Sequence, residues 1–480
     1  MTSVADLPLL ELASDSGESF PVDDPATGET IRHVPRMGAA ETLRALRTAE
    51  DALPAWRGLL AKERARIMRR WSDLMLEHAE ALARLLTTEQ GKPLAESRVE
   101  IEYAASFLEW FGEEAKRVYG DTIPTYMHDR RVVVLKQPIG VSAGITPWNF
   151  PAAMPTRKAA PALGAGCTMV LKPAEQTPLT ALAIMRLGEE AGLPPGVMSV
   201  VTGDADDAPV IGKEMTSNPI VRKLGFTGST EIGKLLMAQC AAQVKKVSLE
   251  LGGNAAFIMF DDADLEAAIE GALICKYRNS GQTCISANRI YVQDPVYDDF
   301  VAAFTERASK LNVADGFSDG VNVGPLIDQQ GFDKVVRHVG DARDRGAELL
   351  LGGSPHQRGG QFFTPTVFAG VTDEMAMSYE ETFGPVAGIS RFSTEEEAVR
   401  NANDTPYGLS SYFYSRDMSR IWRVSEQLEY GILGINTGVI STEVAPFGGM
   451  KESGIGREGS KYGIDDWLET KYLCLGGLDK

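Results

Sequence analysis

"GVSAGITPWNFPAAMPTRKAAPALGAGCTMVLKP", residues 140–173, sets two short apolar runs on either side of a longer stretch. "GVSAGITP" and "TMVLKP" read as strands, and the segment between them is long enough for one crossover helix. That makes a βαβ unit with parallel strands. The alternation continues to residue 260 through "MSVVTG", "RKLGFTG", "KKVSLEL" and "AAFIMF". A second series follows Cys284, with "RIYVQ", "ELLLGG", "FFTPTVF", "SSYFY" and "GILGIN". Two α/β domains are expected. Residues 40–118 read as long helices: "AKERARIMRRWSDLMLEHAEALARLLTTEQ" has helical apolar spacing up to Gly91, and "EIEYAASFLEWFGEEAKRVYG" has it up to Gly120. "RRVVVLKQP" (130–138) and "ETKYLCLGG" fit neither core and read as an arm suited to pairing with another subunit.

The 480 residues carry a net charge of −18, which argues against nucleic acid or an anionic membrane as partner. Five cysteines (167, 240, 275, 284 and 474), an odd number without a CxxC, suggest free thiols in a reducing compartment and no zinc framework. "MTSVADLPLLELASD" has no basic segment of the kind that opens a signal peptide. The longest uncharged run, Gln137 to Thr156, contains Pro138, Pro147, Pro151 and Pro155, which excludes an ordinary spanning helix. A soluble, cytoplasmic protein is expected.

Several strand ends carry residues suited to chemistry. "FTGSTEIGKL" nearly spells a phosphate-binding loop through Gly228, Gly233 and Lys234, but Leu235 stands where a magnesium-binding hydroxyl belongs. What survives is a strand, a Gly228–Ser229 turn and a helix start whose free N–H groups suit a pyrophosphate or merely a cap. In "GITPWNFPAAM" two prolines bracket Trp148, Asn149 and Phe150, fixing a loop beyond a strand end. The Asn149 amide there suits either a turn or a developing oxyanion. "LKPAEQTP" places Lys172 and Glu175 at another strand end. In "SLELGGN" the Glu250 carboxylate lies between leucines, as a buried base or a satisfied structural acid. "KYRNSGQTC" ends on Cys284, a nucleophile or a small hydrophobe, with no histidine within forty residues.

Together, "PWNFP", "KPAEQTP", "FTGSTEIG", "LELGGN", "GQTC" and "EETFGP" resemble the aldehyde dehydrogenases, in that family's order and over essentially the whole chain. Within the family, "TRKAAPAL", "KYRNSGQTC" and "APFGGMKESGIGREGSKYGIDDWLETKYLCLGG" are similar to the dehydrogenases of succinate and glutarate semialdehyde. The resemblance implies a doubly wound NAD(P)-binding domain (1–118 and 139–250) and an α/β catalytic domain (251–450). It implies also an oligomerisation arm with a C-terminal segment (119–138 and 451–480), in a homodimer or homotetramer. Cys284 would attack the aldehyde, Asn149 would hold the oxyanion, and Glu250 would deprotonate the hydrolytic water. NAD, with NADP possible, would lie against Trp148, Lys172, Glu175, Gly228, Ser229, Glu381 and Phe383. Arg157, Arg278 and Ser441 match positions that grip the substrate's far carboxylate, and no metal is implied. Two departures stand out: Glu175 replaces the Ser of many bacterial relatives, and Ser286 replaces a frequent second cysteine.

Overall fold

The computed structural model describes residues 7–478; residues 1–6 and 479–480, the outer ends of the first and last expected segments, lie outside it. The first alternating series forms a six-stranded sheet. Its spatial order is Gly454–Ile455, Lys246–Glu250, Val221–Thr227, Val141–Ile145, Thr168–Lys172, Met198–Val200. Neighbours pair in parallel except at Gly454–Ile455, which runs antiparallel with Gly454 opposite Glu250. The chain winds outward from the Val141 strand to one edge, then returns to build the other side. The strand order therefore reverses between Val141–Ile145 and Val221–Thr227, where α/β sheets open a ligand crevice at their carboxyl ends. Helices cover both faces, so inner strands such as Thr168–Lys172 are buried along their whole length and read as continuous apolar runs.

The second series forms a seven-stranded sheet. Its order is Glu348–Leu351, Thr366–Ala369, Val386–Phe392, Ala287–Gln293, Ala255–Met259, Ser410–Tyr414, Ile432–Ile435. Two strand readings need correction. The "AAFIMF" strand, grouped above with the first series, belongs to this second sheet, between the Ala287 and Ser410 strands. The glycines that precede it carry the chain across: a methyl group on Gly253 would lie 2.2 Å from the Cys284 carbonyl oxygen. Val386–Phe392 is a further strand of this sheet that the alternating series did not include.

The long helical stretch ending at Gly91 is two helices, Ala61–Glu77 and Ala79–Gln90, broken at His78 (φ −101°, ψ 14°). The break lets Trp71, Leu74 and Met75 of one piece and Leu82, Leu85 and Leu86 of the other reach a single core. Helix Leu94–Glu114 starts after Pro93 and packs so closely on helix Ala153–Ala165 that a methyl at Gly164 would meet the Phe111 carbonyl oxygen at 2.9 Å. The two arm segments pair antiparallel with each other, from Leu468 opposite Pro138 to Leu475 opposite Arg131, and Asp121–Ile123 joins as a third strand. Ile123, Leu135, Tyr472 and Leu475 are exposed on this small sheet. No helix among the described residues is long and apolar enough to cross a membrane.

Candidate active site

A cavity of about 650 Å³ opens where the carboxyl ends of the two large sheets meet. The switch-point loops supply Trp148, Asn149, Gly228 and Ser229 to its wall. The second sheet and its loops supply Arg278, Cys284, Glu381, Phe383 and Ser441, and helix Ala153–Ala165 supplies Arg157. Ten of the thirteen expected site residues thus meet in one space. Glu250, Lys172 and Glu175 do not line it. Glu250 ends the strand next to the switch point, 3% exposed, and Lys172 and Glu175 pair at 3.4 Å beyond the following strand end.

The cysteine loop is held under strain. Asn279, Ser280 and Gly281 take φ of 51°, 58° and 76° in succession, a left-handed run that favours glycine and is costly for the other two residues. Hydrogen bonds fix it. Gln282 donates to the Asn279 and Pro325 carbonyls at 3.2 and 3.3 Å, and its own oxygen accepts from the Ile327 N–H at 2.9 Å. Asn149 donates its side-chain amide to the Gln282 carbonyl at 3.1 Å. Its backbone carbonyl accepts from Lys92 Nζ at 2.7 Å and from Asn279 Nδ2 at 3.0 Å. Asn149 and the cysteine loop are therefore one hydrogen-bonded unit, fastened by a buried lysine that also pairs with Glu100 at 2.5 Å. Phe383 packs edge-on against Trp148, ring centres 5.5 Å apart. Ser229 caps helix Thr230–Ala241, its hydroxyl accepting from the Ile232 N–H at 3.4 Å.

Comparison with known proteins agrees with this geometry. The model of the aldehyde dehydrogenase family matches residues 12–473. The chain belongs to the aldehyde dehydrogenase family. It is 64% identical to a glutarate-semialdehyde dehydrogenase of Pseudomonas aeruginosa, over 97% of this chain and 96% of that one. It is 61% identical to an NADP+ succinate-semialdehyde dehydrogenase of Escherichia coli over the same shares of the two chains. The crystal structure of an NADP-dependent E. coli enzyme superposes with a TM-score of 0.96 at 60% identity, covering 98% of each chain.

In this aldehyde dehydrogenase the electrostatics differ from a simple reading of the cysteine. Although half-buried, Cys284 has its thiol pushed up to about 12. Loss of solvent is the main cause, the Glu381 and Glu250 charges add to it, and Arg157 and Arg278 oppose it. Burial and the neighbouring carboxylates thus hold the thiol above the range of an isolated cysteine. Both carboxylate oxygens of Glu250 are shielded from solvent with no hydrogen-bond partner among the described residues. Burial raises its pKa well above the ordinary value, Glu458 raises it further, and Arg157 and Lys158 work against both.

Glu458 is itself clamped by Lys158 at 2.6 Å and Arg157 at 2.8 Å. Burial acts to raise its pKa, but these two cations outweigh burial and keep it ionised. Arg157 is thus shared with a protein carboxylate and stacked 4.1 Å from the Phe447 ring centre. Arg278 makes no ion pair among the described residues and faces the Phe150 ring at 5.7 Å. Burial pushes Glu381 up to about 7, opposed by Lys334 and by the Gly253 N–H, which donates to it at 3.2 Å.

The switch-point crevice suits a dinucleotide: it offers a helix N-terminus behind the Gly228–Ser229 turn, and the buried Thr227 hydroxyl has no partner among the described residues. Among those residues no group of His, Cys, Asp or Glu has the make-up of a metal site. Sequence reasoning gave no role to Lys92, Lys158, Glu458 or Phe447. Lys158 and Glu458 stand in stretches quoted for the family resemblance, but nothing local marks them as partners across 300 positions.

Proposed function

We propose that this protein oxidises succinate semialdehyde to succinate with NAD(P)+, releasing the free acid; glutarate semialdehyde is the alternative main substrate. One observation carries the reading. The cavity that holds Cys284 and Asn149 also holds a guanidinium, Arg278, that makes no ion pair among the described residues. A short aldehyde with a terminal carboxylate fits both requirements, and the names of the two relatives agree with it.

The Cys284 thiol passes its proton to water, Sγ bonds to the aldehyde carbon, and the oxygen that gains the electron pair is held by the Asn149 amide and the Cys284 N–H. Trp148, Gly228, Ser229, Glu381 and Phe383, with Lys172 and Glu175 for the adenosine ribose, would hold NAD(P)+, which would supply the hydride acceptor. Loss of the hydride turns the adduct on Cys284 into a thioester. Glu250 takes a proton from water, the hydroxide attacks the thioester carbon, and the C–S bond breaks to free the acid and the thiolate. Arg278 and Ser441, with Arg157 where Glu458 leaves it free, hold the distal carboxylate. The six-stranded sheet with its helical layer serves the cofactor and the seven-stranded sheet the nucleophile. The exposed three-stranded sheet joins subunits of a cytoplasmic homo-oligomer.

A panel of three- to six-carbon semialdehydes with both cofactors, followed at 340 nm, tests the reading. The four- or five-carbon substrate is expected to give the highest kcat/KM. NAD+ is expected to be preferred, because the Glu175 carboxylate repels a 2′-phosphate. Equal rates with uncharged aldehydes of the same length would overturn the substrate, and equal use of NADP+ would overturn the role of Glu175.

A further inference from the structure

Tyr103 stands on helix Leu94–Glu114, outside both large sheets and away from every sequence motif. Its ring nevertheless lines the same cavity as Arg157, Arg278 and Ser441. It packs edge-on to Phe107, with ring centres 4.8 Å apart and planes at 63°. The phenol oxygen is shut off from solvent and has no hydrogen-bond partner among the described residues. Buried tyrosine hydroxyls usually find a partner, and one left unpaired is worse for stability than a phenylalanine of the same shape. A wall that served only to exclude water would gain from losing that oxygen.

The charges that reach the phenol indicate what it is for. Arg157 and Arg278 act on it most strongly, and Glu458 and Glu443 more weakly. Burial holds the phenol above its usual range, so it remains a donor at neutral pH. Tyr103 packs on Phe107, whose ring centre lies 5.9 Å from the Arg157 guanidinium, so an anion held by Arg157 and Arg278 meets the Tyr103 side of the cavity. A carboxylate offers about four lone-pair positions, and a guanidinium fork occupies two of them. The remainder call for neutral donors, because a third cation would add a further desolvation cost. Ser441 is one such donor, and Tyr103 is the other.

We propose that the Tyr103 hydroxyl donates a hydrogen bond to the distal carboxylate of the substrate and so determines specificity for acidic aldehydes. This rests on the semialdehyde reading above, and the test separates the two. The ratio of kcat/KM for succinate semialdehyde to that for butanal is measured on the full-length protein and on Tyr103→Phe. A ratio near one in the unmodified protein overturns the semialdehyde reading. If the ratio is high there, Tyr103→Phe is expected to lower it by about tenfold or more, the usual contribution of a hydrogen bond to a charged group. A ratio that Tyr103→Phe leaves unchanged overturns the role of Tyr103 and leaves the substrate reading standing. Competition by succinate against butanal gives a readout independent of semialdehyde turnover. Its inhibition constant is expected to rise by a similar factor in Tyr103→Phe, and an unaltered constant overturns the proposal.

Discussion

Glu250 sits buried with both oxygens unpartnered, which makes it a stronger base than an exposed glutamate and one that ionises only at higher pH. Its protonated form cannot accept the proton of water. Turnover is therefore expected to fall as pH drops through a range above the ordinary glutamate value, and Glu250→Gln should abolish that acid limb. Rapid mixing of Glu250→Gln should still give a burst of about one NADH per active site before slow turnover, because acylation precedes the step that Glu250 serves. Loss of the burst would move Glu250 to deprotonating the thiol, which burial holds at about 12. Arg278 is the complementary case, a cation with no ion-pair partner among the described residues. Truncating one member of a desolvated charge pair costs roughly 2–5 kcal/mol. Arg278→Ala should therefore lower the preference for succinate semialdehyde over butanal by about two orders of magnitude or more. A matching loss on both aldehydes would show that Arg278 supports the Cys284 loop instead.

Between strands Lys246–Glu250 and Ala255–Met259, the turn through Gly252 and Gly253 decides where the nucleophile stands. A methyl at Gly253 would come within 2.2 Å of the Cys284 carbonyl oxygen, and backbone cannot swing aside as a side chain does. Gly253→Ala is expected to shift the cysteine loop and abolish both the NADH burst and steady turnover, whereas Glu250→Gln loses only the second. A normal burst in Gly253→Ala would show that the loop accommodates the methyl. Glycine and proline turns of this kind are what made the site legible in sequence. "PWNFP", "LELGGN" and "GQTC" are short, local and tied to strand ends, so ten expected residues could be placed in one cavity. The charges that tune the site were not legible in this way. Lys158 and Glu458 look like rim charges on their own segments and become a buried pair only through contact across 300 positions. Lys92 reaches Asn149 across 57, and Tyr103 reads as one apolar position of an amphipathic helix. The "AAFIMF" strand fell in the first alternating series for a related reason, although the boundary at residue 251 implied by the family resemblance put it in the catalytic domain: apolar runs announce a strand but not the sheet it joins.

At the scale of the molecule, the two large sheets face each other across the cavity while the three-stranded sheet leaves Tyr472, Leu473 and Leu475 exposed. A row of apolar side chains on a strand of this kind favours association with another copy. Light scattering is expected to give a mass at least twice 51.9 kDa, and Leu473→Glu is expected to lower it. A monomer at micromolar concentration would rule out the arm as a subunit contact. The closing segment of the chain also fastens nearly everything before it. Gly454 pairs opposite Glu250, Glu458 clamps Lys158 and Arg157, the Trp467 carbonyl accepts from Cys167 at 3.3 Å, and Leu468–Leu475 completes the arm. Synthesis runs in the opposite sense, with earlier segments free to fold as they leave the ribosome. Both large sheets draw all their parallel strands from residues before 450. The strand opposite Glu250 and the carboxylate that clamps Arg157 come from residues past 450. Residues past 450 therefore govern a cysteine that the preceding sheets already position, through the strand opposite Glu250 and the clamp on Arg157 and Lys158.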